Sequence, residues 1–312
     1  MSPQPAVRTE RTLSMRRLVA AVAMSVVVAF AGAVPAQAAA DLPQNPNIRI
    51  RYEPVSQKNA ERYGALAKRL EERRVLEQFS QVLSPLQLKT ELLVVTAECP
   101  DHKGPNSDYR PGIQRLRMCY EMLDFIENGA AVPPDQQQKP PRTFGPYGLH
   151  PDVTRVEAIL GGWVGVFLHE AGHAVFDIQG VPRLGKEEDA ADQIAAFIML
   201  QFGTDVSRIM VKGSYNLWRH MHGVFGPGVA AGVHSLNLQR SHNYLCVGYG
   251  GHPEALRDLA DRWLNEVRKE HCAAEYKQAQ LAFRKTFLKY VDEELMKKVR
   301  STPVFRPEDF KL

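Results

Sequence analysis

The sequence of 312 residues predicts an α+β fold that is mostly helical. Three observations carry that prediction. Apolar, β-branched runs of strand character cluster between residues 88 and 120. Helical spacing of apolar residues precedes them and dominates the chain beyond Asp152. The composition, 44% apolar and 24% charged, is that of a globular chain with a core, which excludes disorder, collagen-like repeats and a polytopic membrane protein.

Residues 1–38 read as a secretory signal peptide. Arg16 and Arg17 precede an apolar run from Leu18 to Ala33, and Ala36-Gln37-Ala38 gives a small-x-small cleavage pattern. The run is short for a bilayer span of about 20 residues. Membrane association is therefore expected only if the segment stays uncleaved. Arg8, Arg11, Arg16 and Arg17 against Glu10 give this stretch +3 of the net +4, so the remainder has no basic footprint for nucleic acid. Export makes a secreted or periplasmic location the expectation. In such a compartment the even set Cys99, Cys119, Cys246 and Cys272 favours disulfides over metal or redox chemistry. Three pairings are open; the local one, Cys99–Cys119 with Cys246–Cys272, closes loops of similar size.

Residues 39–58 are Pro- and Asn-rich and read as an extended segment. A single domain is expected at 59–300, followed by a loose tail at 301–312. From Asn59 to about Leu83 the pattern is helical, with Tyr63, Leu66, Leu70, Val75 and Phe79 near one face. Leu88–Cys99 and Gln114–Tyr120 are strand candidates, with Pro100–Pro111 a polar loop between them. A short helix is expected around Glu121–Glu127, then a Pro-, Gly- and Gln-rich loop at 129–151.

The chemistry concentrates at residues 169–192. His169-Glu170-Ala171-Gly172-His173 is an HExxH motif inside a helical stretch whose stripe is Val156, Ile159, Leu160, Trp163 and Phe167. Residues four apart share a helix face, so both imidazoles can address one metal ion. Glu170 lies about 100° round the helix and can reach a water at that metal without ligating it. Two exposed histidines on an ordinary amphipathic helix would give the same string, and the next segment decides between the readings. Gly180 and Pro182 end the helix, and a new one begins near Lys186. Its apolar stripe, Ala191, Ile194 and Ala195, puts Glu188 and Asp192 on the buried side, where carboxylates are costly unless paired or metal-bound. Glu188 is thus the third ligand, with Asp189 or Glu187 taking its place on a rotated helix. Asp192 accepts the outer N–H of a ligand histidine and fixes its tautomer. Two His, one Glu and a water describe an open, catalytic Zn2+ site. Glu187 is accounted for as a first-turn acid favourable to the helix dipole.

HEAGH followed by Glu188-x-x-Ala191-Asp192 resembles the zincin metallopeptidases whose third ligand is a glutamate. Cys119-Tyr120-Glu121, Cys99 with its turn-rich loop to Tyr109, and Gln239-Arg240…Asn243…Cys246…Tyr249-Gly250 resemble an uncharacterised bacterial family of exported metallopeptidases, over roughly residues 60–280. The resemblance implies a zincin-like α+β architecture, with a small sheet packed on the metal-binding helix and a helical second half. It favours the local disulfide pairing. It implies an exported zinc metallopeptidase, a hydrolase of the metalloendopeptidase class, acting on peptide or protein substrates. Glu170 is then the general base, and His234, Arg240 or Tyr244 stabilises the oxyanion. The strand ending at Tyr120 would hold an extended peptide by edge pairing, by analogy with zincins. The alternative is a non-catalytic zinc-binding interaction protein that keeps the fold. A deformylase-like hydrolase would need a cysteine ligand, for which Cys119 is the conceivable donor. His220-x-His222 reads as a solvated helix end.

Overall fold

The structure is a computed structural model that describes residues 44–131, 148–228, 230–302 and 304–305. The proposed signal peptide, the Pro-rich stretch at 133–146 and the end of the tail at 306–312 lie outside the described residues. The described residues fall in one compact unit, Ala36–Leu312.

Strands β1 (Ile48–Tyr52), β2 (Leu92–Ala97), β3 (Asp108–Arg110) and β4 (Arg115–Cys119) form one sheet of order β1-β2-β4-β3. β1, β2 and β4 run parallel, and β3 is antiparallel to β4. β2 (LLVVTA) is apolar on both faces, which suits a central strand. β1 (IRIRY) alternates apolar and charged residues, which suits a half-buried edge. The segment at 39–58 is therefore not merely extended, because the sheet begins inside it. Tyr52 fixes this edge by donating its hydroxyl proton to Glu77 Oε2 (2.7 Å) and accepting from the Leu76 amide (2.9 Å). The expected loop at 100–111 likewise hides β3. Three polar residues are too few to show a period; Asp108 is held there by Arg117 of β4, whose Nε donates to Asp108 Oδ1 at 2.6 Å.

The helix expected over 59–83 is two helices, α1 (Ala60–Glu72) and α2 (Val75–Gln81), separated where Arg74 takes a left-handed φ of 51°. α3 (Tyr120–Ala131) continues directly from β4. Next comes α4 (Arg155–Gln179), buried along nearly its whole length. Thr154 and Glu157 form a capping box at its start, and Gly180 closes it at φ 64°. α4 packs on β3 and β4 on one side and on α5 (Glu187–Met199) and α6 (Thr204–Phe225) on the other. α4 and α6 meet backbone to backbone: a Cβ on Gly161 would lie 2.6 Å from the Ile209 carbonyl oxygen and 2.8 Å from Gly213 Cα. Only glycine fits that crossing.

α7 (Asn237–Gly251), α8 (Pro253–Trp263), α9 (Glu266–Thr286) and α10 (Glu293–Ser301) complete the helical half. The disulfides are the local pair. Cys99–Cys119 ties the end of the β2 segment to β4, and Cys246–Cys272 ties α7 to α9. Cys119 is thereby unavailable as a metal ligand, which removes the deformylase-like reading. The chain after residue 293 is not loose over its described part. Asp292 accepts from the Leu295 amide to start α10, while Val304 and Phe305 are buried, Phe305 against Phe79 and Phe202.

Candidate metal centre

α4 presents His169 and His173 one turn apart, and α5 brings its acidic first turn against them. Gly172 eases the approach: a Cβ there would lie 3.0 Å from Ile194 Cγ2, a tight contact, and 3.4 Å from Ala191 Cα. Three atoms from the two helices converge. His169 Nε2 and His173 Nε2 are 3.2 Å apart, and Glu188 Oε2 is 3.1 and 3.2 Å from them. The outer ring nitrogens are both engaged. His169 Nδ1 donates to Asp192 Oδ1 (2.8 Å) and His173 Nδ1 to Glu187 Oε1 (2.9 Å).

That pattern defines the donor set. Carboxylates accept only, so both Nδ1 atoms carry the protons and both Nε2 atoms offer lone pairs. Three lone-pair atoms facing one another repel unless a cation, a proton or a metal ion, lies among them. Burial lowers the His169 pKa, but Asp192 and Glu188 outweigh it and push it up to about 9, so the pocket favours positive charge at this point. A tetrahedral cation with bonds of about 2.0–2.1 Å needs ligand–ligand edges of about 3.3 Å, close to the triangle found here. The residues present therefore fit a divalent metal. Two further groups of donors among the described residues do not. Cys99 and Cys119 are oxidised to each other beside His102, and Asp101 and Asp108 beside His102 are neutralised by Arg117 and Arg110.

The family model described as "Putative metallopeptidase" matches residues 52–287. The chain belongs to that family. No curated protein and no solved structure matches it. Membership in a metallopeptidase family brings a metal and a peptide or protein substrate, in keeping with the donor triangle.

Glu170 is the remaining group of the HExxH stretch. It is 7% exposed, lines the same cleft, and its side chain makes no hydrogen bond among the described residues. Burial pushes its carboxyl up, against the opposing pull of His169 and His173. The cleft has a volume of about 450 Å³ and runs between β3, the end of α4 and the start of α5.

The other expected residues part company. His234 reaches the cleft, its Nε2 2.9 Å from Glu188 Oε2. Arg240, 3% exposed, is spent behind the histidines: Nε donates to Asp192 Oδ2 (2.6 Å) and Nη2 to Oδ1 (2.8 Å), with the guanidinium 3.3 Å over the Trp218 ring. Tyr244 donates to Asp192 Oδ1 at 3.0 Å. Asp192 thus accepts four hydrogen bonds. Burial pushes its carboxyl up, and Arg240 with His169 outweighs this and holds it well below the usual carboxylate range.

Two expectations change. β4, the strand ending at Tyr120, is flanked by β2 and β3 and has no free edge; the free edge beside the cleft is β3. His220 is buried, not solvated, with Nδ1 accepting from the Gly148 amide at 2.6 Å. Glu187 as the partner of His173, and Trp218 under Arg240, have no signal in the sequence. Both depend on where a helix several turns away is laid.

Proposed function

We propose that the protein is an exported zinc-dependent peptidase, with His169, His173 and Glu188 as metal ligands and Glu170 as general base. The reading is carried by one observation: three lone-pair donors from two helices, each ring nitrogen oriented by its own carboxylate, face one another beside a cleft that holds an unpaired buried glutamate. Two imidazoles and one carboxylate suit zinc, which when bound supplies Lewis acidity and lowers the pKa of water.

The remaining work falls to the chain. Glu170 takes a proton from the water that attacks the scissile carbonyl carbon, and returns it to the amine nitrogen as the C–N bond breaks. Burial raises its affinity for protons above that of an ordinary carboxylate, which favours its holding the proton between the two steps. His234, on the cleft side, donates to the carbonyl oxygen as it gains charge. Arg240 and Tyr244 act as positioning residues through Asp192 and His169. The outer edge of β3 offers main-chain groups to an extended peptide. Export is supported by the Arg16-Arg17, Leu18–Ala33 and Ala36-Gln37-Ala38 succession and by two disulfides. Among the described residues no helix is long and apolar enough to cross a membrane.

The test is Glu170→Gln. The variant should keep one equivalent of zinc by elemental analysis and lose hydrolysis of an unstructured protein by about 10²–10⁴-fold. Hydrolysis at the wild-type rate would refute the assignment.

A further inference from the structure

We propose that Asp177 determines specificity, selecting substrates with a basic side chain close to the bond that is cut; this rests on the peptidase reading above. Asp177 is four residues after His173, so it continues the face of α4 that carries His169 and His173 and lines the same cleft. Side chains at that spacing lie about 5–6 Å apart. Alternate side chains of an extended peptide are about 6.6 Å apart. A substrate side chain meeting Asp177 therefore belongs to a residue within about two positions of the scissile bond.

The charges of the cleft single this residue out. Asp108 is matched by Arg117 at 2.6 Å, and Glu187 by Arg183 at 2.8 Å. Glu188 faces His169, His173 and His234. Asp177 is an exposed carboxylate that has no cationic partner among the described residues. Among the described residues its side chain has one hydrogen-bond partner, the Tyr109 hydroxyl, which donates to Oδ2 at 2.6 Å and leaves Oδ1 open. Tyr109 sits on the free edge strand β3, so the acid is pinned where an extended peptide would run. Burial and the neighbouring carboxylate push the pKa of that hydroxyl well above its ordinary value and keep it protonated. It orients the charge of Asp177 without cancelling it.

The cations on the cleft walls do not fill the role. Arg183 is spent on Glu187 and the Val181 carbonyl, with its guanidinium over Phe176. Lys186 donates to the Gly232 carbonyl at 3.3 Å, on the wall made by the start of α5 and the loop before α7. Glu170, also unpaired, is buried at the metal centre and is assigned there as general base; Asp177 is left as the exposed acid with an unmatched charge beside the edge strand, and a lysine or arginine of the substrate matches it.

The test uses the zinc-loaded full chain. Peptides that it cuts are resynthesised with Lys, Gln or Glu at each of the two positions on either side of the cut bond. At one position kcat/KM for Lys should exceed that for Gln about five-fold, the upper range for an exposed pair. The ratio should fall to near one in Asp177→Asn, and Asp177→Lys should turn the preference toward Glu. A ratio near one at every position in the wild type, or a ratio unchanged in Asp177→Asn, overturns the proposal. If the wild type cuts no peptide, the peptidase reading fails, and binding decides on Asp177 separately. Fluorescence anisotropy of an unstructured Lys-containing peptide and its Gln analogue should then favour Lys in the wild type alone; equal discrimination by Asp177→Asn overturns it.

Discussion

Replacing Asp192 by Asn tests the buried network that orients the metal-binding helix. Asp192 accepts from His169 Nδ1, Tyr244 and twice from Arg240, and both Asp192 and Arg240 are almost fully buried. Asparagine has one acceptor oxygen. If that oxygen keeps the Oδ1 position, its amide nitrogen meets Arg240 Nε, donor against donor, at the 2.6 Å now spanned by a hydrogen bond. The guanidinium also loses its counter-ion in a dry site. Leaving a buried charge unpaired costs about 3–5 kcal/mol. The unfolding free energy from urea titration should fall by that amount. Separately, the His169 tautomer loses its carboxylate, which should weaken zinc binding about 10–100-fold in chelator competition. The two effects are separable. Adding Arg240→Met to Asp192→Asn removes the stranded charge and should restore much of the stability, but not the zinc affinity. A single variant with stability within about 0.5 kcal/mol and zinc affinity within about two-fold of wild type would refute the reasoning.

Three other outcomes are expected. Gly213→Ala should destabilise by several kcal/mol, since its Cβ would overlap the backbone of α4 at Glu157 and Gly161; a thermal midpoint unchanged from wild type would show that the helices can part without cost. Burial and the nearby Arg219 lower the pKa of His150 and His220 to about 4. Both are therefore neutral when folded, while unfolded histidine binds a proton below about 6.5. Their stabilisation is complete above that pH and is lost as the pH falls toward 4, on the order of 3 kcal/mol for the buried His220 and less for His150, which water reaches. In His220→Asn, which keeps an acceptor for the Gly148 amide, the loss between pH 7 and 5 should be smaller than in wild type. Replacing Cys246 and Cys272 by Ser should cost roughly 3 kcal/mol on the chain-entropy account, with midpoints from urea denaturation as the readout.

What the sequence made legible follows from periodicity. Helical spacing places His169 and His173 on one face, and the stripe Ala191, Ile194 and Ala195 turns Glu188 and Asp192 toward that face; the structure brings these groups together. Contacts set by tertiary placement were not legible. Arg240 stands out in sequence only as an oxyanion candidate, and its pairing with Asp192, 48 residues away, depends on how α7 crosses α5. His220 is buried because Gly129, on a different helix, leaves room for its ring: a Cβ there would lie 2.6 Å from it. β3 is three residues long and polar, so its strand character comes wholly from its neighbour β4 and the Asp108–Arg117 pair. With that strand hidden, the sequence points to β4 as the substrate edge.

The central claim is that two imidazoles of α4 and one carboxylate of α5 hold a single metal ion. X-ray absorption at the zinc edge, on the full chain loaded with one equivalent, tests it directly. The account predicts only nitrogen and oxygen neighbours at about 2.0–2.1 Å, with the multiple scattering of two imidazoles. A sulfur shell, or a hexahydrated ion without imidazole scattering, would contradict it.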